Sequence, residues 1–149
     1  MISADSVKQL REKTGASMME CKKALEEANG DEAKAMELLA KRGAEIAQKK
    51  SERETKTGLV DVYTHQNGRI GVMVQLACET DFVVRNERFK ELAHDLCMHI
   101  AAMNPQDNSE LLAQPFIKNP EQTVQDLINE SISKIGENIK LEKFVRFEI

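Results

Sequence analysis

Gly58-Leu59-Val60-Asp61-Val62-Tyr63-Thr64-His65-Gln66-Asn67-Gly68-Arg69-Ile70-Gly71-Val72-Met73-Val74 decides the fold, because here a helical pattern gives way to a period of two. Val60, Val62 and Thr64 alternate outward from Gly58, and Ile70, Val72 and Val74 alternate after the turn residues, so the stretch reads as a β-hairpin. Two registers compete. A two-residue Asn67-Gly68 turn sets Asp61 opposite Val74 on the apolar face, whereas a three-residue Gln66-Asn67-Gly68 loop pairs Val60 with Val74 and Val62 with Val72. The second keeps one face clean and is the register expected, with Gly68 in the left-handed position it requires. It leaves Asp61, Tyr63 and His65 beside Arg69, Gly71, Met73 and Gln75 on a partly polar reverse face that is free to dock.

Upstream, residues 3 to 43 read as three short helices. Val7 and Leu10 share one face of the first, and Gly15 lies where a left-handed cap is wanted. The second opens on Ser17-Met18-Met19-Glu20, a capping-box pattern, buries Ala24, Leu25 and Ala28, and stops at Asn29-Gly30. Asp31 caps the third, whose Met36, Leu39 and Ala40 face inward until Gly43 breaks it. Residues 44 to 57 are charged and helix-prone with little apolar surface, which predicts a solvated connecting helix.

Downstream, Thr80-Asp81-Phe82-Val83 joins the hairpin to a helix capped by Asn86, in which Phe89, Leu92, Ala93, Leu96, Ile100 and Met103 keep the helical period. Residues 104 to 119 read as a loop. Asn119-Pro120 then predicts an N-cap with proline at the first helical position, and Val124, Leu127, Ile128, Ser131 and Ile135 line that helix up to Gly136. Ile139, Leu141, Val145, Phe147 and Ile149 alternate as a third strand, with only Lys143 out of phase. The expected architecture is α+β: a three-helix module over 1–43, a helical linker over 44–57, and a core over 58–149 with a three-stranded antiparallel sheet and packed helices.

The composition narrows the function. A formal net charge of −4 with no basic block argues against a grip on nucleic acid. No apolar run is long enough to cross a bilayer and no leader-like segment opens the chain, so a cytoplasmic protein without membrane contact is expected. Cys21, Cys78 and Cys97 are odd in number and set among apolar neighbours, which predicts reduced core thiols. No phosphate loop is present, and His94 and His99 diverge on their helix, so neither a bound cofactor nor a metal site is expected. No catalytic constellation emerges.

Phe82 is the unusual residue, since in a chain with no Trp, one Tyr and five Phe it stands on a short loop. Taken alone, burial in its own core is the commoner fate of such a ring, about two to one. Met18 and Met19 beside Lys22 form a second adaptable patch.

Together these residues resemble the elongation factor Ts family, guanine-nucleotide exchange factors for elongation factor Tu. The resemblance is carried by Val7-Lys8-Gln9-Leu10-Arg11-Glu12-Lys13-Thr14-Gly15-Ala16, Met18-Met19-Glu20-Cys21-Lys22-Lys23-Ala24-Leu25 and Ala28-Asn29-Gly30-Asp31. Tyr63-Thr64-His65, Gly68-Arg69-Ile70-Gly71-Val72, Cys78-Glu79-Thr80-Asp81-Phe82-Val83, Gly136-Glu137-Asn138-Ile139 and Arg146-Phe147-Glu148 extend it over nearly the whole chain. It implies that residues 1–43 have the fold of a ubiquitin-associated domain. It also implies that Asp81 and Phe82, flanked by Thr80 and Val83, enter the GTPase near its magnesium and phosphate region. Lys22, Met18 and Met19 become an N-terminal contact, and His65 a further one. Longer members of the family carry two core subdomains, a helical hairpin and a C-terminal module. This chain, with a single core, is similar to short forms in which two copies pair, and a reverse sheet face including Tyr63 and Met73 is what pairing would bury. Two rival readings are an adaptor recognising ubiquitin-like or other helical partners, with the core as dimeriser, and a thiol-dependent enzyme using Cys78 near Asp81.

Overall fold

A computed structural model describes residues 1–149 and has the expected α+β architecture. Three helices open the chain, α1 (Ala4–Thr14), α2 (Met18–Glu27) and α3 (Glu32–Lys50). Their starts follow from side-chain caps: Ser3, Ser17 with its Glu20 partner, and Asp31 each accept from the backbone N–H of Ser6, Glu20 and Lys34 respectively. Val7, Leu10, Cys21, Ala24, Leu25, Ala28 and Ala35 form their shared core. At the end of α1, Gly15 takes φ +69, and a Cβ there would strike the Lys134 ammonium, which donates to the Thr14 carbonyl at 3.2 Å.

Gly43 does not stop the third helix. α3 runs through it to Lys50 and places Ala47 in the main core, so residues 44–50 continue the helix before them, and only the non-helical residues 51–56 lie between α3 and the first strand. A single glycine costs a helix about 1 kcal/mol. The packing of α3 on a later helix, α7 (Val124–Ile135), outweighs that cost.

The sheet has order β1-β2-β5, all antiparallel, built from β1 (Thr57–His65), β2 (Ile70–Cys78) and β5 (Ile139–Glu148). The expected hairpin register is wrong. His65 pairs with Ile70, Tyr63 with Val72 and Asp61 with Val74, around a tight turn in which Asn67 and Gly68 have positive φ and Arg69 N–H donates to Gln66 O at 3.3 Å. Asn-Gly suits that turn. The penalty on Asp61 is removed at the sheet edge, where its carboxylate meets His94 Nδ1 at 3.1 Å. Gly58 is needed at the far end of the hairpin, since a Cβ would run into the Leu76 carbonyl oxygen and lie 2.8 Å from the Ala77 Cα.

The register exchanges the faces. Leu59 and Tyr63 pack inward with Val72, Val74 and Leu76, while Val60, Val62 and Met73 stand in solvent. A bulge in β5 completes the arrangement. Leu76 pairs with Leu141 and Gln75 with Lys143, so Glu142 is the extra residue and the phase of the strand reverses there. Ile139, Leu141 and Phe144 therefore face the core, whereas Val145 and Phe147 join the open face. Tyr63 is not part of that face, contrary to expectation; Met73 is.

The inner face is covered by helices. β2 leads into α4 (Asp81–Val84) and then α5 (Glu87–Met103), whose Phe89, Leu92, Ala93, Leu96, Cys97 and Ile100 fill the core. The segment expected to be loop holds α6 (Asn108–Ala113) and a small ladder, β3 (Pro115–Phe116) with β4 (Asn119–Thr123). Pro120 lies in β4, so α7 does not start at Asn119-Pro120. Its cap is Thr123, in a capping box with Asp126. A strand of an isolated pair tolerates Pro120, because only one of its edges has a ladder to lose.

His99 pins that ladder to α5. The buried imidazole accepts from Ile117 N–H through Nδ1 at 3.3 Å and donates from Nε2 to Gln114 Oε1 at 2.9 Å, a pattern only the neutral ring can make. Burial holds its pKa below the usual 6.5. The unfolded chain therefore binds the proton first, so this contribution is complete above about pH 6.5 and is lost as pH falls through the lowered value. Urea unfolding followed from about pH 7.5 down to about pH 5 should show falling stability, and His99→Gln should flatten that slope.

Candidate partner-binding site

Glu79 and Thr80 are the whole connection between β2 and α4, and the turn that follows points Phe82 outward. Its ring is 84% exposed, while its neighbour Val83 is 7% exposed and packs in the main core. One helical turn thus anchors one apolar side chain and presents the other. Val83, grouped with Phe82 in the sequence reading, is the anchor.

Long-range polar contacts hold the turn. Asp81 Oδ1 accepts the Thr57 hydroxyl at 2.8 Å, tying the turn to the start of β1. Glu137 Oε1 accepts the backbone N–H groups of Glu79 and Thr80 at 3.1 and 3.0 Å, and its Oε2 accepts the Thr80 hydroxyl at 2.6 Å. In return Glu79 Oε2 accepts Asn138 N–H at 3.1 Å and lies 3.8 Å from the Arg53 guanidinium. The Asn138 side-chain amide donates to Arg53 O at 2.9 Å. Three chain segments thereby converge on the turn that carries Phe82.

The other sequence candidates sit on other elements. On α2, Met18 and Met19 are exposed beside Lys22, while Cys21 is fully buried. His65 is half-buried at the opposite end of β1 from Thr57, about 26 Å along the strand. Its Nδ1 is 2.8 Å from the Tyr63 hydroxyl, and the Tyr63 ring meets His94 edge-on at 5.7 Å. The fold does not bring His65 to Phe82.

The thiols are unsuited to attack. All three are free and buried. Burial, with Glu137 nearby, pushes Cys78 up to about 11, and burial with Asp61 nearby pushes Cys97 up to about 12. A thiol so protonated at neutral pH is a poor nucleophile.

A sequence profile described as Elongation factor TS matches residues 2–106 and 79–149, which together span nearly the whole chain. The chain belongs to the elongation factor Ts family. The protein called Elongation factor Ts in Thermoanaerobacter sp. (strain X514) is 43% identical over 193 aligned positions, covering 99% of this chain and 95% of the relative. The one in Thermosipho melanesiensis is 43% identical over 194, covering 100% of this chain and 99% of the relative. The one in Acetivibrio thermocellus is 44% identical over 193, covering 99% and 90%. This family membership gives the chain the role of a translation elongation factor in protein biosynthesis. An alignment of 193 positions against 149 residues leaves at least 44 with no counterpart here. No helix is long and apolar enough to cross a membrane.

Sequence reasoning missed Glu137 and Thr57 as parts of this site. Glu137 contacts Thr80 across 57 positions, a separation to which no local spacing rule applies.

Proposed function

We propose that this chain is a guanine-nucleotide exchange factor that binds elongation factor Tu and promotes GDP release, with the Asp81-Phe82 turn as its wedge. The observation that carries the reading is the outward, rigidly supported Phe82 ring. A factor that binds the empty GTPase more tightly than the loaded one must weaken nucleotide binding by the same ratio. It needs no chemistry of its own. Thr80 and Asp81 border the wedge, and residues 1–43 supply a second contact through Met18, Met19 and Lys22, with α3 running on past Gly43 to Lys50 to meet the core over 58–149. His65, remote from the wedge, fits a separate peripheral contact. The place of action is the compartment of translation, the bacterial cytosol or an organelle interior, with neither nucleic acid nor membrane as a direct partner. The test is release of labelled GDP from elongation factor Tu. Acceleration at substoichiometric amounts supports the reading, and an unchanged rate rejects it.

The same core is proposed to pair with a second copy through its open sheet face. Val62, Met73 and Val145 lie in one row across the three strands, flanked by Val60 and by Phe147, which is 71% exposed. Such a contiguous apolar surface favours burial. Val62→Lys should leave the fold intact and convert a species near twice 16.8 kDa into one of that mass, as read by sedimentation.

A further inference from the structure

We propose that Glu137 is the positioning residue for the wedge: its carboxylate, delivered from the turn between α7 and β5, sets the direction in which Phe82 points. This role rests on the exchange-factor reading above. A helix of four residues, Asp81–Val84, cannot hold itself in water, since nucleation alone costs more than one turn returns. Its N-cap, Thr80, makes no side-chain cap bond, because the Thr80 hydroxyl is turned away and given to Glu137. What fixes the start of α4 is therefore remote.

Both backbone N–H groups of the connection donate to one side-chain oxygen of Glu137 and the Thr80 hydroxyl donates to the other, three bonds to one side chain. The Glu79 carboxylate returns to Asn138 N–H, so the two segments clasp each other in both directions. Lys50, at the end of α3, donates to Gly136 O at 2.9 Å and steadies the turn from which Glu137 projects. With Thr80 fixed, Val83 falls into the core and Phe82 has only the outward direction left. Without the Glu137 carboxylate, the side-chain bonds left to Thr80 and Asp81 are a weak donation from the Cys78 thiol to Thr80 O at 3.4 Å and the Thr57 bond to Asp81.

Two substitutions separate this from a general packing role. Glu137→Gln keeps an oxygen for both N–H groups and offers its amide to the Thr80 hydroxyl, whereas Glu137→Met keeps the length and loses every oxygen acceptor. In the intact chain, which has no Trp, Phe82→Trp supplies the only tryptophan, placed at the wedge and excited selectively over Tyr63. Its anisotropy decay should gain a fast component when combined with Glu137→Met and stay slow when combined with Glu137→Gln. With Phe82 in place, Glu137→Met should slow stimulated GDP release about tenfold, within the range seen for coupled neighbours, and Glu137→Gln should restore it. In the Phe82→Ala background, Glu137→Met should cost nothing further.

An indole that stays immobile in the Phe82→Trp, Glu137→Met double variant overturns this inference alone, as does a loss that adds in full to that of Phe82→Ala. Wild-type GDP release by Phe82→Ala removes the wedge, and the positioning role with it.

Discussion

Phe82→Ala is expected to leave thermal unfolding unchanged and to remove most of the stimulation of GDP release. The ring is 84% exposed, so its removal opens no cavity in the core. A central aromatic anchor at a partner interface is worth about 2–4 kcal/mol, roughly 30- to 1000-fold in affinity or rate. Because the turn is held by Glu137, Thr57 and Val83 rather than by the ring, the shortened side chain would sit on an unaltered backbone. GDP release measured at several factor concentrations separates two outcomes. Loss that persists at saturation places Phe82 in the exchange step, whereas loss recovered by concentration places it in binding alone.

The second large effect concerns stability. Phe89 is fully buried in the first turn of α5, beneath the sheet and next to the turn that carries Phe82. Phe89→Ala should cost about 3–5 kcal/mol through lost burial and the cavity left behind. That is a large share of the roughly 5–15 kcal/mol by which such domains are stable. Denaturant unfolding should show an earlier midpoint at unchanged slope. At temperatures where the variant remains folded, its GDP release should also fall, because α4 and α5 share this packing.

The α+β class, the three-helix start, the hairpin and the long helix over Glu87–Met103 are legible in the sequence because each carries its own period and caps. What misleads is interaction between distant segments. The hairpin register, chosen to keep Asp61 off the apolar face, fails because Asp61 finds a polar partner there in His94 on α5. The alternation of β5 looks unbroken because the bulge at Glu142 inserts one residue and sends Val145 and Phe147 to the opposite face. Lys143 out of phase is the one local sign of it. Gly43 and Pro120 depart from their usual habits, Gly43 because α3 packs on α7 and Pro120 because its strand belongs to an isolated pair. At the site, the isolation of Phe82 among few aromatics is visible, whereas the clasp by Glu137 is not, since it joins residues 57 positions apart.

The unbroken course of α3 has a thermodynamic consequence. A stiff rod about 28 Å long, packed against both α2 and α7, fixes the Met18–Met19 patch relative to the core that carries the Phe82 ring. Under the proposed two-point contact, release of a GTPase by either patch would leave it held at high local concentration by the other, which favours recapture. Softening the rod near Gly43 with further glycines would thus hasten dissociation while every touching residue stayed in place.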